Sequence, residues 1–106
     1  RAGYSFYTSY WEGLMVLEIV QTRRFLRQYK KLNDKIAGDA DKAVIQIATE
    51  PTIGEKKKGD LSGLWVFKFK SCGQLYLLGY SIDGGLRLIY LESIGPHENF
   101  YRDIKR

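Results

Sequence analysis

The segment Gly95-Pro96-His97-Glu98-Asn99-Phe100-Tyr101-Arg102 carries the only histidine of the 106-residue chain. Imidazole is the side chain whose ordinary pKa lies near neutrality, which makes His97 the residue best suited to move a proton at physiological pH. The Gly-Pro pair ends a strand and opens a helical turn, because proline is tolerated where a helix's first amides lack partners. On that turn His97 and Tyr101, four residues apart, share one face, while Phe100 and Ile104 share the neighbouring apolar one. The apolar pair can dock the segment and leave the polar pair free. Upstream, Trp65-Val66-Phe67-Lys68-Phe69-Lys70 alternates, so the three aromatic rings point one way and Val66, Lys68 and Lys70 the other. Cutting RNA without a metal requires a base for the 2′-hydroxyl proton, an acid for the leaving oxygen and cations for the charge that builds on phosphorus. An imidazole and paired ammonium groups supply these. A tyrosine ring grips an unpaired base by stacking. DNA has no 2′-hydroxyl, so the same set does not cut it by this route.

The rest of the chain must bring those residues together. Seventeen Lys and Arg against twelve Asp and Glu give a formal charge of +5, which suits RNA, DNA or an acidic protein as partner. Cys72 is the single cysteine, so no internal disulfide forms, and a reducing cytoplasm is the expected location. No apolar run is long enough to cross a membrane as a helix, and a membrane partner is not expected. One Cys and one His far apart do not make a metal site, so neither metal nor cofactor is implied.

Taken in order, residues 1–14 show no helical period and read as an N-terminal extension, with Met15 as the expected natural start of a single domain over 15–106. Met15 to Val20 reads as a strand. Thr22 then caps a basic helix through Leu32, whose apolar side is Phe25, Tyr29, Leu32 and Ile36. Gly38 and Asp39 break this pattern, and a second helix follows from about Ala40 to Thr49, with Ala40, Ala43, Val44, Ile47 and Ala48 inward. It stops before Pro51. Thr52 to Gly63 is a loop whose Lys56-Lys57-Lys58 run is either solvated charge or a track for a phosphate backbone. Three strands follow, over Leu64 to Lys70, Gln74 to Ser81 and Leu86 to Ile94, separated by the turns Ser71-Cys72-Gly73 and Asp83-Gly84-Gly85. The expected fold class is α+β: an N-terminal strand, a helical hairpin, a three-stranded antiparallel meander joined by the first strand along an edge, and a short C-terminal helical segment.

That order of elements, with Lys56-Lys57-Lys58-Gly59-Asp60-Leu61-Ser62-Gly63-Leu64-Trp65-Val66-Phe67-Lys68-Phe69-Lys70 and the Gly95 to Arg106 string, resembles the RelE/ParE superfamily of bacterial toxins from type II toxin–antitoxin pairs, over Met15 to Arg106. The resemblance implies a small endoribonuclease that enters the ribosomal A site, cuts mRNA and is held inactive by a cognate antitoxin. It gives Lys68 and Lys70 a phosphate and charge-stabilising role, His97 the role of acid or base, and Tyr101 that of stacking on the mRNA base, with Arg102 a further contact. Several ribonuclease members carry an arginine early in the middle strand of the meander, where this chain has Gln74, Leu75 and Tyr76. Arg87 on the next strand is the candidate to replace it. The superfamily also holds DNA gyrase inhibitors that lack the catalytic set, so a non-enzymatic gyrase inhibitor and a catalytically inactive antitoxin-binding member are the competing expectations.

Overall fold

The computed structural model describes the backbone course of Ser5–Thr8 and the full chain over residues 18–105. Strand β2 (Glu18–Gln21) leads to Thr22, whose hydroxyl accepts from the Phe25 amide at 3.2 Å and so caps helix α1 (Arg23–Lys30) as its sequence position predicts. The same hydroxyl donates to the Leu91 carbonyl at 2.8 Å, tying the helix start to the last strand. Met15 to Leu17, the expected opening of this strand, lie outside the described residues.

The helical hairpin differs from expectation in where it bends. Helix α1 ends at Lys30, and α2 runs over Asp34–Thr49, so Gly38 and Asp39 sit inside the second helix rather than between the two. The stronger local signal is Asn33, whose side-chain oxygen accepts from the Ile36 amide at 2.8 Å and starts α2 six residues early. A helical glycine costs only about 1 kcal/mol relative to alanine. Asp39 is held by Lys35 one turn before it, at 3.3 Å, and by the Ser71 hydroxyl at 2.7 Å. Tyr29 closes the hairpin by donating to Asp41 at 2.7 Å.

After a 3-10 turn at Pro51–Ile53 come a two-residue strand β3 (Glu55–Lys56), then β4 (Trp65–Ser71), β5 (Gln74–Asp83), β6 (Leu88–Pro96) and helix α3 (His97–Ile104). With Ser5–Thr8 as β1 the sheet has six strands in the order β1-β2-β6-β5-β4-β3. The composition of residues 1–14 does not announce β1, which pairs antiparallel with β2. Strand β2 runs parallel to β6, and every other pairing is antiparallel. Cys72 and Gly73, both at positive φ, make the two-residue β4–β5 turn, the conformation whose twist matches the flanking strands. The β5–β6 turn is longer than expected and keeps Leu86 and Arg87 out of β6.

The sheet has two covered faces. Helices α1 and α2 pack Phe25, Ala40, Ala43, Val44 and Ile47 onto Ile19, Leu78, Tyr80, Ile89, Leu91 and Ile94, with Trp65, Phe67 and Phe69 at the margin. On the other face a smaller cluster joins Leu64, Val66 and Leu77 to Phe100 of α3. Alternation in β4 thus sends its aromatic residues to the larger core and leaves Lys68 and Lys70 exposed on the α3 side. No helix among the described residues is long and apolar enough to cross a membrane.

Candidate functional site

Strand register fixes the neighbours of the two lysines. Lys68 lies opposite Leu77, which lies opposite Gly95, and Lys70 lies opposite Leu75. Tyr76 pairs with Pro96, so His97, the next residue and the first of α3, emerges beside Leu75. Neighbouring strands are about 4.8 Å apart, which puts the backbones of Lys70 and His97 roughly 10 Å from one another across Leu75. His97 is exposed and lines a shallow hollow of about 200 Å³ with Gln74, Leu75 and Glu98. Lys68 lines a second hollow of about 260 Å³ with Gly54, Glu55 and Val66.

Helix α3 turns Tyr101 onto this same face. Phe100 is fully buried and anchors the helix, and the Tyr101 ring stands edge-on against it with centroids 5.1 Å apart. The last turn is tied from the other side of the sheet by Arg24, which donates to the Ile104 carbonyl at 3.1 Å.

The three adjacent lysines do not act as one surface. Because β3 is extended, its neighbours point to opposite faces: Lys56 sits 5.8 Å from the Trp65 ring centroid, on the side of the larger core. Lys57 turns to the α3 face, 5.4 Å from the Tyr101 centroid and 3.3 Å from a Glu55 carboxylate oxygen. Its amine is held above the ordinary lysine range by the Tyr101 hydroxyl first, against the opposing effect of burial, with a further upward contribution from Glu55. Lys58 is exposed. The loop is pinned from below by Tyr80, whose hydroxyl donates to the Pro51 carbonyl at 2.6 Å and accepts from the Gly54 amide at 3.0 Å. A side chain on Gly54 would begin 2.7 Å from that hydroxyl, which is why the position is glycine.

The structure therefore brings His97, Tyr101, Lys68, Lys70 and Lys57 to one face, with Lys56 on the opposite face and Arg87 far from them. Arg87 lies in the β5–β6 turn at the far end of β6, on the order of 30 Å from His97 at the rise of an extended strand, and so does not stand in for the missing middle-strand arginine. Its carbonyl instead accepts from the Glu18 amide at 3.0 Å. Arg102 is exposed and engaged along its own helix, donating to Asn99 at 3.1 Å and lying 3.7 Å from Asp103. Gln74, Leu75 and Glu98, which line the hollow beside His97, were not singled out as site residues by sequence. Glu98 had adjacency to His97 as a signal, whereas Gln74 and Leu75 reach the site only through register.

Solved structures similar to this one include toxins and toxin–antitoxin complexes. A mutant of the E. coli toxin RelE in the free state superposes with a TM-score of 0.66 at 18% identity, covering 82% of this chain and 87% of that one. The RelBE2 toxin–antitoxin complex from Mycobacterium tuberculosis gives 0.66 at 18% identity over 74% and 95%. The E. coli RelE mutant in complex with an antitoxin RelB peptide gives 0.60 at 21% identity over 73% and 79%. No curated protein sequence matches significantly. The sequence profile of the ParE-like toxins of type II bacterial toxin–antitoxin systems matches residues 19–105, most of the chain, and the protein therefore belongs to that toxin family within the RelE/ParE superfamily.

Proposed function

We propose that this toxin is a ribosome-dependent endoribonuclease that cuts mRNA by acid/base catalysis and so inhibits translation in the cytoplasm. The observation that carries the reading is the gathering of His97, Tyr101, Lys68 and Lys70 on one open face at the C-terminal end of β6. In this mechanism the 2′-oxygen loses its proton to a base and attacks phosphorus. The P–O5′ bond breaks, the 5′-oxygen takes a proton, and a 2′,3′-cyclic phosphate remains on the upstream fragment. His97 serves as base or acid, Lys68 and Lys70 neutralise the charge that develops on the phosphoryl oxygens, and Tyr101 stacks on the base next to the cut. A cognate antitoxin with an acidic, partly disordered segment is the natural inhibitor, since such a segment would compete with RNA for the same lysines. The complexes of RelE-fold toxins with antitoxins support this partner.

One observation favours a second reading, a non-enzymatic gyrase inhibitor: no arginine stands between Lys70 and His97, where Leu75 sits instead. Brief induction followed by primer extension on cellular transcripts separates the two. Discrete mRNA ends and growth arrest that are relieved by His97→Gln or Tyr101→Ala support the nuclease. Intact mRNA with gyrase-dependent DNA damage, indifferent to His97, overturns it.

A further inference from the structure

We propose that the open edge of β4 is a docking site for an extended segment of a partner protein in which acidic residues alternate with apolar ones. This deepens the antitoxin reading above, on which it rests for the partner's identity, by naming where the segment lies and in what conformation.

The edge follows from the hydrogen-bond register. A strand residue turns its amide and carbonyl to one side, and the next residue turns them to the other. The Lys57 amide donates to the Leu64 carbonyl at 2.8 Å and Val66 pairs with Glu55, so the even-numbered residues of β4 turn theirs outward, toward β3. Ser71 pairs with Gln74 across the two-residue turn, and by the same alternation Phe69, Phe67 and Trp65 serve β5. Strand β3 begins only at Glu55, so its pairing does not extend past Val66. Among the described residues, the amides and carbonyls of Lys68 and Lys70 have no hydrogen-bond partner. Four ladder groups in a row are thus a template for another extended chain.

The side chains choose the occupant. The ammonium groups of Lys68 and Lys70 are exposed on the α3 face of this edge. They repel a second copy of the same edge and favour carboxylates. Phe69, between them, turns to the other face, and it and Phe67 are only half-buried. Where β3 parts from β4, Phe67 and Ile53 line the hollow of about 260 Å³, and Ile53 is 38% exposed. A strand paired here puts its side chains alternately on the two faces, carboxylates across from Lys68 and Lys70 and apolar groups beside Phe67 and Phe69. Main-chain bonds supply the affinity of such strand addition, and the alternate side chains supply its selectivity. The formal charge of +5 draws the same kind of segment from a distance. Because the lysines so covered are those assigned to the phosphoryl oxygens, docking here inhibits cleavage without contact to His97.

The test uses the whole toxin and two synthetic peptides of identical composition, one alternating glutamate with valine and the other carrying all its glutamates before its valines. At about ten times its dissociation constant the alternating peptide is expected to slow amide exchange at Lys68 and Lys70 about tenfold, as read by NMR, and to leave Val66 unchanged. The segregated peptide is expected to bind about tenfold more weakly. Lys68→Gln with Lys70→Gln, both at exposed positions that leave the fold intact, is expected to weaken the alternating peptide about tenfold at low salt. Equal binding of the two peptides without protection of the two amides means that charge alone is read, and overturns the proposal, as does no binding. Protection that appears without peptide and grows with toxin concentration assigns the edge to a second copy of the chain and overturns it too. A cognate antitoxin that neutralises the toxin while both amides exchange freely overturns the proposal and leaves the antitoxin reading standing. If no antitoxin neutralises the toxin, that reading fails, and the peptide measurement alone decides the docking site.

Discussion

Phe100 occupies the space where a side chain on Gly79 would begin: a Cβ built on Gly79 would lie 2.8 Å from the Phe100 ring tip and 3.3 Å from a Leu64 methyl group. The absence of a side chain in mid-strand is therefore what allows α3 to lie flat on the sheet, with Phe100 removed wholly from water. Gly79→Ala is expected to push the ring outward and destabilise the protein by about 1–3 kcal/mol, the usual range for overpacking. Urea unfolding measures the loss, and faster hydrogen exchange confined to the α3 amides shows where it falls. An unchanged midpoint would mean that α3 is not anchored through this contact.

Tyr80 is the second expected point of weakness. Its hydroxyl serves both the Pro51 carbonyl and the Gly54 amide, so Tyr80→Phe removes two part-buried hydrogen bonds that hold this turn, for a loss of about 1–3 kcal/mol. Burial raises the phenol's pKa above its usual 10.0, against a smaller opposing effect of the Gly54 amide. A folded pKa above the unfolded one means that the native state holds the proton more tightly, so stability is intact below pH 10 and falls as pH rises through the folded value. Thermal unfolding between pH 9 and 11 is expected to show that decline in the native protein and a shallower one in Tyr80→Phe.

Acid acts on a different pair. The Ser71 hydroxyl, more than Lys35, holds the Asp39 carboxyl below its ordinary value of 3.8. Here the native state binds its proton more weakly, so the contribution is present above pH 3.8 and is lost as pH falls through the lower folded value. Ser71→Ala is expected to lower the urea midpoint at pH 7 and to lower it less at pH 3, below the unfolded carboxyl's value of 3.8, where part of the contribution is already lost. An equal drop at both pH values would assign the effect to packing of the hydroxyl instead.

The parts of this fold that the sequence made legible are those set by local chemistry. Trp65, Phe67 and Phe69 alternate with Val66, Lys68 and Lys70, so the two faces of β4 follow from a period of two. Thr22 is a cap in type and position, and Cys72-Gly73 is a turn because glycine accepts positive φ readily. Gly38 misled because a glycine reads as a breaker, while the Asn33 cap and the apolar face of α2 outweigh it. His97 and Tyr101 share a helical face at a spacing of four, which needs no tertiary information. What sequence did not reveal is register. Nothing local says that Lys70 sits opposite Leu75, that a two-residue strand divides Lys56 from Lys57, or that the β5–β6 turn extends far enough to strand Arg87 at the wrong end. Those facts decide which cations attend the imidazole.

The parallel seam between β2 and β6 governs the order in which this molecule assembles. Thr22 and Leu91, which meet across it, are 69 residues apart in sequence, so a long loop must close before the first strand gains its partner, whereas the β4–β5–β6 hairpins form between near neighbours. During that delay the open edge of β6 is a template for any other extended chain. Rapid overproduction therefore steers the nascent toxin toward intermolecular pairing, and slowing synthesis or lowering temperature is the route to a monodisperse preparation.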